Sequence, residues 1–332
     1  MKKVGTLWVV LLIMLLSLPS TTGYFLEDRH PFFSKHIITV DDEPGDADYT
    51  SIKEALNHSS LGDTIEVFSG TYNEHGINIT EKGISLIGIP YELGNGSDTG
   101  KPFINGQGVD DVIRVKARNV SITGFHIENK GEIYWFIFLI CWGADGCIIS
   151  NNTLCYSGNC IIGCPSNYSR ITNNTIRYAS FHYGIVLGPY NNNLVSDNFI
   201  DHCPTGILFW GGNYNTIFRN CISNCSEFGI DIGGGGLNSF QFNTIENNNY
   251  GLHIYQSGFN KIKQNNFINN TRQAGFDQGL SFTAGNRWIQ NYWGRPRMLP
   301  YPIVGQVLVV LIWVQFDWRP AQTPYEISSL KQ

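Results

Sequence analysis

The segments ITNNTI (171–176), VSDNFI (195–200), IFRNCI (217–222) and FQFNTI (240–245) carry one pattern, apolar-x-x-Asn-x-Ile. ISNNTL (149–154) fits it upstream, and KQNNFI (263–268) fits downstream apart from its first position. The closing apolar residues Leu154, Ile176, Ile200, Ile222, Ile245 and Ile268 are spaced by 22, 24, 22, 23 and 23. Ile127, 27 residues before Leu154, opens the series. Self-similarity at a fixed period of this size is the mark of a solenoid.

A second strand recurs out of phase with the first. It reads YGIVLG (183–188), TGILFW (205–210), FGIDIG (228–233), YGLHIY (250–255) and QGLSFT (278–283). An asparagine-rich corner recurs near Asn167, Asn193, Asn215, Asn238 and Asn260. Within each short strand apolar residues alternate, so one face points inward, and a single coil cannot bury that face alone. Stacking coils at about 4.8 Å pairs every backbone and builds a continuous apolar column. The Asn at 152, 174, 198, 220, 243 and 266 keeps one place per coil and predicts a ladder of side-chain amides. The expected fold is therefore all-β, a single-stranded parallel β-helix of roughly 23-residue coils, right-handed by the rule for parallel crossovers.

The ends depart from the repeat. HIITV (36–40), a short helix in YTSIKEALNH (49–58), and the strands TIEVF (64–68), INI (77–79) and ISLIG (84–88) read as an entry module with a helical cap. NYWGRPRMLPYP (291–302), VLVVLIWV (307–314) and FDWRPAQTPYEI (316–327) read as an irregular second cap. The eight-residue apolar run is too short to span a bilayer and should be covered or paired. The divisions are 1–23 for a signal peptide, 24–110 for the cap and first coils, 111–285 for the repeats and 286–332 for the Trp/Pro-rich cap.

Composition agrees with export. Lys2 and Lys3 precede an apolar run from Leu7 to Leu18, and Ser20 to Gly23 are small, the layout of a secretory signal. No other membrane span is expected. Nine Asn-X-Ser/Thr sequons occur, at Asn57, Asn78, Asn95, Asn119, Asn151, Asn167, Asn173, Asn224 and Asn269. Eight cysteines lie between Cys141 and Cys225, an even and clustered count that suggests disulfides in an exported chain. Cys203 and Cys225 are 22 apart and each follows a closing Ile by three residues, so a bridge between neighbouring coils is expected. Cys141 with Cys164, 23 apart, is a second candidate. The cysteine spacing offers no metal site, and no cofactor is expected. The net charge of −5 gives no basic surface for nucleic acid.

The opening stretch DADYTSIKEALNHSSLGDTIEVFSGTYNEHGINITEKGISLIG (46–88) resembles that of parallel β-helix repeat proteins, the NosD-like family and the wider pectin-lyase-like group. The ending NRWIQNYWG…FDWRPAQTPYEI resembles archaeal surface members of that group. The resemblance implies the fold. For activity it implies only a range, from polysaccharide lyases, hydrolases and epimerases to adhesins and accessory factors. NosD-like proteins are associated with maturation of a copper enzyme, but no His/Met/Cys cluster of copper-ligand character is evident here.

Candidate chemistry lies on the second strand. In-register stacking sets Asp231 beside His253 on an outward stripe, flanked by Trp210, Tyr250 and Tyr255, with Phe228 and Tyr183 in the row before. Asp231 and His253 are the candidate acid/base pair, and the aromatics are candidate platforms for a sugar ring. The paired carboxylates of β-helix polysaccharide hydrolases are not seen. Arg177, Asp201, Ser223, Glu246 and Asn269 form a second outward stripe that reads as a solvated face. The expected role is a noncatalytic glycan-binding or structural scaffold at the cell surface, its partner an extracellular polysaccharide or glycoprotein glycan. A polysaccharide lyase, hydrolase or epimerase is the alternative, and an accessory factor the third.

Overall fold

The computed structural model describes residues 35–94, 96–131, 136–140, 143–163, 166–278, 285–308 and 311–327. The signal-peptide segment, Cys141, Cys164 and most of QGLSFT lie outside the described residues. From Lys35 onward three sheets, here A, B and C in the order the chain visits them, build a parallel β-solenoid. Sheet A climbs through eleven strands from Ile37–Val40 to Arg287–Ile289, and sheet B through nine from Thr71–Tyr72 to Asn266–Ile268. Sheet C begins at Ile77–Ile79 and reaches Arg272–Asp277, then is extended by the antiparallel pair Tyr301–Val307 and Leu311–Asp317, for eleven strands. Among the described residues no helix is long and apolar enough to cross a membrane.

Sheet B carries the repeated pattern. Ile104, Ile127, Leu154, Ile176, Ile200, Ile222 and Ile245 stack in register, one per coil, and all are buried. The column then continues through Phe267, not Ile268, which is only half-buried. The reason is the preceding strand, where Ile262 pairs with Phe240 and supplies the inward apolar residue that Lys263 cannot. With Ile262 as the first position, the last copy reads IKQNNF.

The same one-residue shift moves the asparagine ladder. It runs Asn152, Asn174, Asn198, Asn220, Asn243 and then Asn265, not Asn266, to Asn291. Each Oδ1 accepts from the backbone N–H and the Nδ2 of the Asn one coil earlier, as Asn220 does from Asn198 at 3.0 and 2.9 Å. The ladder ends on buried Asp317, whose Oδ2 accepts from Asn291 N, Asn291 Nδ2 and Trp293 Nε1. A carboxylate suits that end, because it accepts without needing a further acceptor for itself. A second ladder joins Ser169, Asn193, Asn215, Asn238, Asn260 and Asn286. Asn167 belongs to a separate row, accepting from Asn191.

The glycine opening each sheet C repeat has a packing cause. A Cβ on Gly206 would stand 2.5 Å from Ile222 Cγ2 and 2.7 Å from Gly229 O. The closing isoleucine of sheet B therefore seats on bare backbone of sheet C.

Both ends are closed. The helix Ile52–Asn57 is capped by Ser51 Oγ, which accepts from Glu54 N, and it buries Ile52, Ala55 and Leu56 over the first coil. At the far end the cap is more regular than expected. Val307 and Leu311, from the apolar run, pair across the hairpin, and Trp293 stacks between Phe267 (4.6 Å) and Tyr301 (4.0 Å).

The expected Cys203–Cys225 bridge does not form, and both are free buried thiols. Each Sγ donates to the carbonyl two residues earlier, Cys203 to Asp201 and Cys225 to Ser223. Equivalent side chains in stacked parallel strands point the same way at the strand spacing, wider than the roughly 3.8 Å between Cβ atoms in a disulfide. Burial pushes the Cys203 thiol up to about 12, so it is unreactive as a nucleophile.

Candidate functional site

Sheet C sets the expected stripe in register. Leu208, Asp231 and His253 are paired neighbours, as are Trp210, Gly233 and Tyr255, and Thr205, Phe228 and Tyr250. The next strand is Arg272–Asp277 rather than QGLSFT, so Arg272 follows Tyr250, Gly275 follows His253 and Asp277 follows Tyr255. Gln278 is buried and lies just past that strand.

His253 Nδ1 lies 2.8 Å from Asp231 Oδ1. With the proton on Nδ1, the carboxylate orients the ring and Nε2 is left as a base. Phe228 stacks on the imidazole at 5.3 Å, and Tyr250 meets it edge-on at 5.3 Å. The Arg272 guanidinium sits 4.9 Å over the Tyr250 ring. Gly275 makes this possible, since a Cβ there would collide with the Tyr250 hydroxyl and the Arg272 head. Burial raises the Tyr250 hydroxyl to about 12, with Arg272 opposing. A hollow of about 310 Å³ opens beside these groups, lined by Tyr250, His253, Arg272, Asp277 and Gln306. Trp210 and Tyr255 are exposed, 68% and 44%, on either side of Gly233. Tyr183 pairs with Thr205, three coils from Tyr250, and is not brought to the pair.

A second feature escaped the sequence reading. At the corner between sheets B and C, Tyr156, Tyr178 and His202 stand one above another in successive coils. The two tyrosine rings are parallel, 5.1 Å apart at 8°, and His202 follows at 5.3 Å. Both tyrosines are exposed, and Lys130 Nζ lies 4.5 Å over the Tyr156 ring. All three corner residues have positive φ, as do Asn224, Asn247 and Asn269 further along the same row. That backbone suits Asn and is costly for Tyr. The row lines a groove of about 590 Å³ running from Lys130 past Tyr156, Tyr178 and His202 to Ser226. It continues as a shallower hollow of about 470 Å³ past Asn247 to Thr271.

The side chains that hold His202 and Asn224 from behind correct the solvated-stripe reading. Asp201 and Ser223 are buried, not exposed. Asp201 Oδ1 accepts from Ser223 Oγ (2.8 Å) and Asn224 Nδ2 (2.7 Å), and Oδ2 lies 2.7 Å from His202 Nδ1. Burial pushes this carboxyl up, but the bonds from Asn224, His202 and Ser223 outweigh it and hold it below the ordinary range. The carboxylate therefore stays ionised and fixes His202 in the row. Ile268, not Asn269, completes the stripe above Glu246.

Residues 138–291 match the family described as the right handed beta helix region. The chain folds as a right-handed parallel β-helix. Solved structures with the same fold include the complex of XylC with xylose, at TM-score 0.56 and 12% identity, covering 85% of this chain and 73% of that one. The polygalacturonase of Erwinia carotovora ssp. carotovora aligns at TM-score 0.53 and 12% identity, over 83% and 92%. The A-module of the mannuronan C-5 epimerase AlgE6 of Azotobacter vinelandii aligns at 0.51 and 13%, over 73% and 81%. At these identities the likeness is one of fold. No curated protein matches the sequence of this β-helix protein.

Proposed function

We propose that this is an exported or cell-surface protein that binds an extracellular polysaccharide along the groove at the sheet B–C corner. The observation that carries the reading is the exposed, face-to-face stack of Tyr156 on Tyr178, continued by His202 above an ionised Asp201. The exposed edges of the stacked rings offer apolar contact along a sugar chain, and His202, Asn224 and Ser226 in the groove lining offer polar groups to its hydroxyls. The groove follows the coil axis, so it suits a chain rather than a single sugar. Carbohydrate is also what the structurally similar proteins are named for.

Tyr178→Ala should weaken binding by about 1–3 kcal/mol, as loss of a central aromatic anchor does. Isothermal titration against polygalacturonan, alginate and xylan reads this directly. Should the wild type bind none of them, or bind equally well after Tyr156→Ala and Tyr178→Ala, the groove is not a glycan site.

A second reading is turnover at the sheet C face, favoured by the 2.8 Å Asp231–His253 contact beside Arg272 and Tyr250. A base, a cation able to neutralise a uronate and a phenol converge there, the set that proton abstraction next to a carboxylate needs. If that reading holds, Asp231→Asn abolishes product formation in a reducing-end assay and leaves Tyr178-dependent binding intact. Absence of any product with the wild type overturns it.

A further inference from the structure

Five carboxylates crowd the N-terminal end of the solenoid, far in sequence from both faces described above. Asp41, Asp42 and Glu43 follow the first strand, and Glu92 and Asp98 belong to the loop after the strand Ser85–Gly88. Asp41, Asp42 and Glu43 bring one oxygen each to within 4.8 Å of one another, and so do Glu43, Glu92 and Asp98. Asp41 is fully buried, and neither of its carboxylate oxygens accepts a well-formed hydrogen bond. Asp42 Oδ1 is also buried without a partner. Among the described residues no Lys, Arg or His forms an ion pair with any of the five.

The backbone holds this arrangement in place. Asp42 Oδ2 accepts from Thr71 N at 2.8 Å, and Glu92 accepts from Leu93 N and Asp98 N at 3.1 Å each. Gly70 and Gly96 leave room for the two side chains, since a Cβ at either would collide with the Asp42 or the Glu92 carboxylate. A buried carboxylate without a donor, facing others, is expensive unless a cation stands between them.

We propose that Asp41, Asp42, Glu43, Glu92 and Asp98 form a calcium site that clasps the turn after the first strand to the 91–98 loop. The donors are all hard oxygens, and they come from two separate segments. Calcium accepts six to eight such donors in irregular geometry, whereas magnesium requires a near-ideal octahedron and keeps its waters. The site departs from the metal-free expectation because that expectation rests on cysteine spacing, and these ligands are carboxylates. It is independent of the glycan reading.

The test is thermal unfolding of the full chain in 1 mM CaCl2, in 1 mM MgCl2 and in EDTA, with terbium as a second probe. Calcium should raise the melting temperature by about 5 °C over EDTA, and magnesium by much less. Terbium should show emission sensitised by Tyr72, which is buried close to the cluster, and calcium should quench it by displacement. Asp41→Asn and, separately, Glu92→Gln should each remove most of the calcium shift. Glu92→Gln decides the matter if Asp41→Asn does not fold. Equal melting temperatures in calcium and EDTA overturn the site, as does a calcium shift that survives Glu92→Gln or is matched by magnesium. Stabilisation by acid alone, with no response to calcium, assigns protons to the cluster instead and overturns it equally.

Discussion

Ile222→Asp is expected to lower stability by about 5 kcal/mol or more, a large share of what a folded chain has in total. Ile222 is fully buried, stacked between Ile200 and Ile245 and seated on the bare backbone of Gly206. The substitution removes apolar volume that the rigid ladders on either side prevent from closing. It also places a carboxyl group where the adjoining side chains are apolar. Whether the group ionises there or is forced to stay protonated, folding bears the cost. Each coil touches only its neighbours, so one broken coil separates the solenoid into two stacks. Circular dichroism against guanidinium would show the loss as a fall in midpoint. The conservative Ile222→Val should cost only about 1 kcal/mol. An unchanged midpoint for Ile222→Asp would remove Ile222 from the column.

The repeat was legible because one inward position per coil must be apolar and one corner position must be Asn. Those two demands recur at the coil period whatever else varies. The reading slipped where two copies of the motif overlap. In IKQNNFI the Asn-x-Ile match at 266–268 competes with the apolar-x-x-Asn-x-apolar match at 262–267. Only the second places an apolar residue, Ile262, in sheet A. The abundance of sequons has a structural cause as well. At Asn151, Asn173 and Asn269 the positive-φ corner residue is followed by a buried Asn and then Thr, so the fold writes Asn-Asn-Thr by itself. The groove lies just past the closing apolar position of each coil. Two residues after it, successive coils read Tyr156, Tyr178, His202, Asn224, Asn247 and Asn269. That row was visible in the sequence. What was not visible is that the backbone takes a positive φ at every one of these positions, turning those side chains out at the corner.

Asn220→Leu should cost about 4 kcal/mol although it keeps the heavy-atom count and the branching of the side chain. Asn220 Oδ1 is the acceptor for both Asn198 N and Asn198 Nδ2, at 3.0 and 2.9 Å. Its Nδ2 donates to Val195 O at 2.9 Å, to Phe218 O at 3.3 Å and to Asn243 Oδ1 at 3.0 Å. Leucine leaves two donors on Asn198 and the Val195 carbonyl without these partners in a corner where Asn198, Asn220 and Asn243 are all buried. Each such orphan costs roughly 1–3 kcal/mol, far more than the net worth of one hydrogen bond, and the added apolar burial recovers only part. Asn247→Leu is the control. Asn247 also has a positive φ, 56°, but it is exposed and stands outside the ladder, so its replacement should cost only about 1 kcal/mol in backbone strain. Denaturation of the two variants side by side separates the ladder from the corner. If Asn220→Leu costs no more than Asn247→Leu, the backbone turn carries the stability and the amide ladder merely follows it.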